Sequence, residues 1–131
     1  MKKIARLGVA GFVAATLLAA VSPAYASGGD KEVVKRGDCS ISSDWKLRIR
    51  QDGSSRLDLE WEAGEVPGQS WQVSMTYNGQ KIFSGTRTAG ADGEFDVDRE
   101  VANKAGADTL KGSAKNLQTG ETCNGSVTAD F

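Results

Sequence analysis

Trp71-Gln72-Val73-Ser74-Met75-Thr76-Tyr77-Asn78-Gly79-Gln80-Lys81-Ile82 alternates apolar and polar residues as far as Asn78-Gly79. A period of two belongs to a strand with one buried side. Asn-Gly accepts positive φ at both central positions of a two-residue turn. The stretch therefore predicts a hairpin of 71–77 and 80–86, with Tyr77 facing Gln80 and Met75 facing Ile82. Trp71, Val73, Met75 and Tyr77 then share the inner side, Gln72, Ser74 and Thr76 the outer. In this register Phe83 also points outward.

The same period extends both ways along the chain. Trp45, Leu47 and Ile49 alternate with Lys46, Arg48 and Arg50; beyond Gln51-Asp52-Gly53-Ser54-Ser55, Leu57, Leu59 and Trp61 alternate with Arg56, Asp58, Glu60 and Glu62. If Arg50 faces Arg56, Trp45 opposes Trp61, and the outer side sets Arg48 against Asp58 and Lys46 against Glu60, opposite charges that stabilise a pair of strands. A strand over Glu94–Asp98 follows Ala91-Asp92-Gly93, and Glu100–Lys104 is expected to form one helical turn. A last hairpin joins 108–116 to 122–131 around Thr119-Gly120, with Leu110, Gly112, Ala114, Cys123, Gly125, Val127 and Ala129 inward. About seven short strands with frequent turn signals define an all-β, two-sheet Greek-key sandwich.

At the N-terminus Lys2, Lys3 and Arg6 precede an apolar run over 7–21 and the small residues Ala24 and Ala26, the layout of an export leader with cleavage after Ala26. That run is shorter than the ~20 residues a membrane span requires, so no stable membrane anchor is expected and the protein is read as secreted and extracellular. Cleavage leaves 105 of 131 residues, one domain's worth, divided into a flexible segment at 27–38 and a folded domain at 39–131. The leader removes three of 16 basic residues and none of 17 acidic ones, so the mature chain carries 13 basic against 17 acidic side chains. That balance, without a basic run, argues against nucleic acid as a partner. Residues 32–36 are either an extra edge strand or part of the tail.

Cys39 and Cys123 are the two cysteines of the chain. In an exported protein they are expected to pair. Closing the 83 intervening residues is worth about 4–5 kcal/mol in the loop-entropy account.

Trp71 followed by Tyr77-Asn78-Gly79-Gln80-Lys81-Ile82 resembles the C strand, turn and C′ strand of immunoglobulin-like domains. Ala107-Asp108-Thr109-Leu110, Ala114-Lys115-Asn116 and Thr119-Gly120-Glu121 resemble the F strand and F–G turn of that family. The resemblance implies an immunoglobulin-like sandwich over most of 45–131. The chain departs from it where Leu59 and Gly112 stand at the positions of the usual inter-sheet bridge and Leu110 at that of a corner tyrosine. The order Cys39, Trp45, Trp71, Asn78-Gly79, Gly120-Glu121-Thr122-Cys123 is similar to that of small exported actinobacterial proteins of uncharacterised function.

The chain has no histidine, so a triad-type hydrolase would need another base, and neither an enzyme nor a cofactor is expected. Asp92, Glu94, Asp96, Asp98 and Glu100 form an acidic stripe. Carboxylates so spaced can hold Ca²⁺, yet outward charge on an exposed strand more simply opposes aggregation. Arg36-Gly37-Asp38 matches a cell-attachment triplet but abuts Cys39, where Gly37 has a turn to make. Asn124-Gly125-Ser126 fits a glycosylation sequon inside an expected strand, and no glycan is assigned to it.

The candidate binding face is the outward set Gln72, Ser74, Thr76, Lys111, Ser113, Lys115, Asn124 and Ser126, with Thr109 and Thr128 beside it and Phe83 as its apolar anchor. This face implies a non-enzymatic binding or interaction module whose partner is a protein or a cell-wall glycan. Two further readings stay open. One is a small-molecule carrier with a Trp-lined cleft, since exported actinobacterial chromoproteins are similar in size and sandwich type. The other is a proteinase inhibitor using the loop at 63–69.

Overall fold

The computed structural model describes residues 31–131, so the expected leader at 1–26 and the start of the tail lie outside the described residues. Eight strands follow in order, β1 Glu32–Asp38, β2 Asp44–Asp52, β3 Arg56–Gly64, β4 Ser70–Tyr77, β5 Gln80–Thr88, β6 Glu94–Ala102, β7 Asp108–Asn116 and β8 Thr122–Ala129, with no helix among the described residues. They form two antiparallel four-stranded sheets, β1-β2-β3-β6 and β5-β4-β7-β8. The chain changes sheet after β3, after β5 and after β6.

Four expectations are corrected here. Residues 32–38 are not a loose tail: β1 pairs with β2 along its whole length, Glu32 opposite Arg50 through Asp38 opposite Asp44. The folded unit thus begins at Lys31 rather than at Cys39. Glu100–Lys104 makes no helical turn, because β6 continues to Ala102 with Val101 half-buried opposite Leu57. The β2–β3 register is shifted by two residues, Ile49 facing Leu59 and Leu47 facing Trp61. A tighter turn is the cause: Asp52 pairs with Arg56, and Gly53 takes φ 69°. An even shift keeps every side chain on its expected side, but it sets Arg50 against Asp58, Arg48 against Glu60 and Lys46 against Glu62.

The fourth correction changes a face. The Asn78-Gly79 turn forms as expected, with φ of 50° and 82°, and Tyr77 opposes Gln80. Ile82, however, is an extra residue in β5: Thr76 faces Lys81 and Met75 faces Phe83. A one-residue bulge reverses side-chain parity beyond it. Phe83 therefore turns to the inner side, packing against the core, and is not the anchor of the outer face.

Inside, the sheets interlock large against small. Gly112 of β7 lies over the Trp61 indole, and a Cβ there would sit 2.4 Å from the ring. Trp45 is held in the same way between Gly37 of β1 and Gly125 of β8, at 2.5 and 2.6 Å. Trp61 and Trp71 are fully buried and both contact Phe95, with centroids 5.9 and 5.7 Å away. The indoles thus fill the space that the small residues of β7 and β8 leave.

The β1–β8 side of the sandwich is fastened by Cys39–Cys123, whose Cα atoms are 4.4 Å apart. Beside it, Glu121 accepts backbone N–H bonds from Ile41, Ser42 and Ser43 at 2.7–2.8 Å and a hydroxyl bond from Ser43 at 2.7 Å. Burial alone would raise this carboxyl, but those four donors outweigh it and hold it below the usual range. Trp45, the disulfide and Glu121 together position the β7–β8 hairpin that carries half of the candidate face.

Candidate functional site

The outer face of β5-β4-β7-β8 is built in rows, because antiparallel pairing sets residues of like parity side by side across all four strands. The central row runs Ser84, Ser74, Ser113, Asn124. On one side of it stand Lys81, Thr76, Lys111 and Ser126; on the other, Thr86, Gln72, Lys115 and Thr122. Thr109 pairs with Thr128 further along. The structure thus gathers eight of the nine residues expected at the site onto one surface, and Phe83 is the exception.

Short side chains in the central row make a trough. One groove, of about 420 Å³, includes Gln72, Ser74, Lys81, Ser113, Lys115 and Asn124 in its lining. A second, of about 290 Å³, includes Thr76 and Lys111 and shares Ser74, Ser113 and Asn124 with the first. Ser74 and Ser113 hydroxyls bond each other at 2.6 Å along the floor, and Thr109 and Thr128 do so at 3.1 Å. Lys81, Lys111 and Lys115 are exposed, and no Asp or Glu stands in these rows. Lys81 is the residue that sequence reasoning missed. Its outward position follows from the Asn78-Gly79 turn itself, since Tyr77 opposite Gln80 sets Lys81 against the outward Thr76, and the Ile82 bulge comes only after it.

The opposite outer face is ordered differently. Lys46 pairs with Glu60 and Glu62 at 3.2 and 3.3 Å, Arg48 with Glu60 and Glu32 at 3.5 and 3.6 Å, Arg50 with Asp58 at 2.7 Å and Arg56 with Glu100 at 3.1 Å. Asp96 and Asp98 of the acidic stripe lie opposite Glu62 and Glu60. Carboxylate oxygens of Glu60, Asp96 and Asp98 come within 4.8 Å of one another, as do those of Asp52, Asp58 and Glu100. Burial and the Glu60 charge push the Glu62 carboxyl up to about 7; burial, then Asp98 and Glu60, push Asp96 to about 6. Burial also acts to raise Glu60, but Lys46 and Arg48 outweigh it and hold that carboxyl low. The cations of β2 answer much of this lattice's charge, and the raised Glu62 and Asp96 carboxyls take up protons at higher pH than ordinary carboxylates do.

The remaining sequence candidates take structural places. Arg36-Gly37-Asp38 is paired strand, with Gly37 against Trp45. Ala63 and Gly64 of the expected inhibitor loop belong to β3, opposite Phe95 and Glu94. Asn124 lies within β8. A groove of about 520 Å³ at the β1–β2 end includes Arg36, Asp38, Asp44, Trp45 and Glu62, but the Trp45 ring is clamped by glycines on both sides and only 8% exposed.

Fold and site together define a disulfide-stapled two-sheet β-sandwich with one ion-paired face and one hydroxyl and lysine face. The bridge suits an oxidising setting, and no helix among the described residues is long and apolar enough to cross a membrane. Compared with known protein families, curated proteins and solved structures, the chain finds no match.

Proposed function

We propose that this protein is a secreted, non-enzymatic binding module of immunoglobulin-like type, docking on a glycan of the cell wall through the outer face of β5-β4-β7-β8. The observation that carries the reading is the trough itself: hydrogen-bonding side chains line it, lysines flank it, and carboxylates are excluded from it. The sheet order β5-β4-β7-β8 supports the resemblance to a C′-C-F-G sheet, and the disulfide and leader pattern support export. The Ser74 and Ser113 hydroxyls bond each other, with no hydrogen bond to a lysine or carboxylate among the described residues, which favours binding over catalysis.

Sedimentation of the purified mature protein with isolated bacterial cell wall tests this reading. Wild type is expected in the pellet, and Gln72→Ala/Lys111→Gln/Lys115→Gln in the supernatant. Equal pelleting of both proteins, or of neither, rejects the face.

A further inference from the structure

Cations of the described residues fall into two populations. Lys46, Arg48, Arg50 and Arg56 each have a carboxylate within 4 Å, and all four belong to β2 or β3. Among the described residues, no ion pair is made by Lys81, Lys111 and Lys115, by Lys31, Lys35, Arg36 and Lys104, which lie off this face, or by Arg87 and Arg99 at the β5–β6 edge. Those two guanidiniums instead lie 4.7 and 4.9 Å from the Phe83 ring centroid. A chain with more acidic than basic residues has thus kept carboxylates off one face while leaving that face's lysines uncompensated. Unpaired lysines facing one groove favour an anion there, since nothing in the protein competes for them.

Other features narrow the anion's chemistry. Lys81 and Lys111 stand at one side of the trough and Lys115 at the other, about 14 Å from Lys111 along β7 at strand spacing. Charges so far apart match a polymer with separated anionic groups rather than one compact anion. Between them lie only hydroxyls and amides, partners for sugar hydroxyls. The outer rows carry no aromatic ring, because the bulge turned Phe83 away, so stacking on a neutral sugar is not available there.

Resting on the docking face proposed above, we infer that its occupant is an acidic polysaccharide with carboxylates on separated sugar units, lying in the Ser84-Ser74-Ser113-Asn124 trough. Lys81, Lys111 and Lys115 contact the carboxylates, and the central row contacts the hydroxyls.

Isothermal titration of the mature protein against a hyaluronan decasaccharide, dextran and poly-L-glutamate tests this occupant. Hyaluronan alone is expected to bind, more weakly as salt rises from about 50 to about 500 mM. Lys81→Gln/Lys111→Gln/Lys115→Gln should weaken it roughly tenfold or more with the melting temperature unchanged, and Arg50→Gln on the opposite face should leave it intact. Equal binding of dextran shows that charge is not read; equal binding of poly-L-glutamate gives the face to an acidic polypeptide. Self-association abolished by the triple substitution gives it to a second copy of the chain. Each of these three results, or no hyaluronan binding, overturns the inference. The cell-wall sedimentation decides the docking face independently.

Discussion

Sheet β1-β2-β3-β6 sends Trp45, Trp61, Phe95 and a run of Leu and Ile side chains inward and an ion-paired lattice outward. Sheet β5-β4-β7-β8 sends Gly112, Ala114 and Gly125 inward from β7 and β8, and hydroxyls with lone lysines outward. The two contributions to the interior are complementary, so neither sheet can change size alone. The two exteriors are independent, since nothing couples outer side chains through a packed core. One sheet's surface answers its own charge, and the other's is left for a partner.

The interior half of that comparison breaks most readily at Gly112. Gly112→Val puts side-chain carbon where the Trp61 ring lies, and overpacking of this kind should lower the unfolding free energy by about 3 kcal/mol in a denaturant titration. Unchanged stability would show that the indole has room to move and that the sheets are not interlocked there.

A smaller loss is expected at the β1–β8 side. Glu121→Ala leaves three N–H groups and a hydroxyl of the 41–43 segment without their acceptor, a cost of about 2 kcal/mol. Amide exchange should accelerate at Ile41, Ser42 and Ser43 while the β5–β6 side stays unaffected. Equal acceleration on both sides would mean that Glu121 supports the whole sandwich rather than one seam.

The smallest effect separates the two exteriors by pH. Glu62 ionises near 7 in the folded chain against 4.5 ordinarily, so the native state holds the extra proton between those values. Its stability contribution is present below 4.5 and is lost as pH rises through 7. Glu121 acts in the opposite sense, its contribution present above 4.5 and lost as pH falls through its lowered value. Melting temperature should therefore rise by a few °C from pH 8 to pH 5.5 and fall again in stronger acid. Glu62→Gln should flatten the upper limb, whereas the triple lysine substitution should leave both limbs in place. A profile unaffected by Glu62→Gln would place the titration elsewhere.

The legible parts of the sequence were those in which a local rule had a single outcome. Asn78-Gly79 admits one tight turn, and it formed with Tyr77 opposite Gln80. Alternation from Trp45 to Trp61 assigned every side chain to its correct side although the register was two residues off, because a shift of two preserves parity. Cys39 and Cys123 had one possible partner each. On the candidate face the β4, β7 and β8 residues were placed correctly for the same reason, since no bulge interrupts β4–β7 or β7–β8.

Local pattern failed where long-range contacts choose between near-equal local options. Glu32–Asp38 has little apolar content of its own; pairing with β2 and the fit of Gly37 on Trp45 make it a strand. Ile82 and Phe83 are both apolar and adjacent, so alternation cannot say which is the extra residue. The loss of Phe83 from the outer face, and with it of that face's aromatic ring, follows from that one bulge. Period, turn and disulfide were thus determined by the sequence itself, because each depends on residues whose options are few. Strand count, register and the inward turn of Phe83 were decided only by the tertiary structure, where edge strands and bulges take their positions from the rings and backbone packed against them.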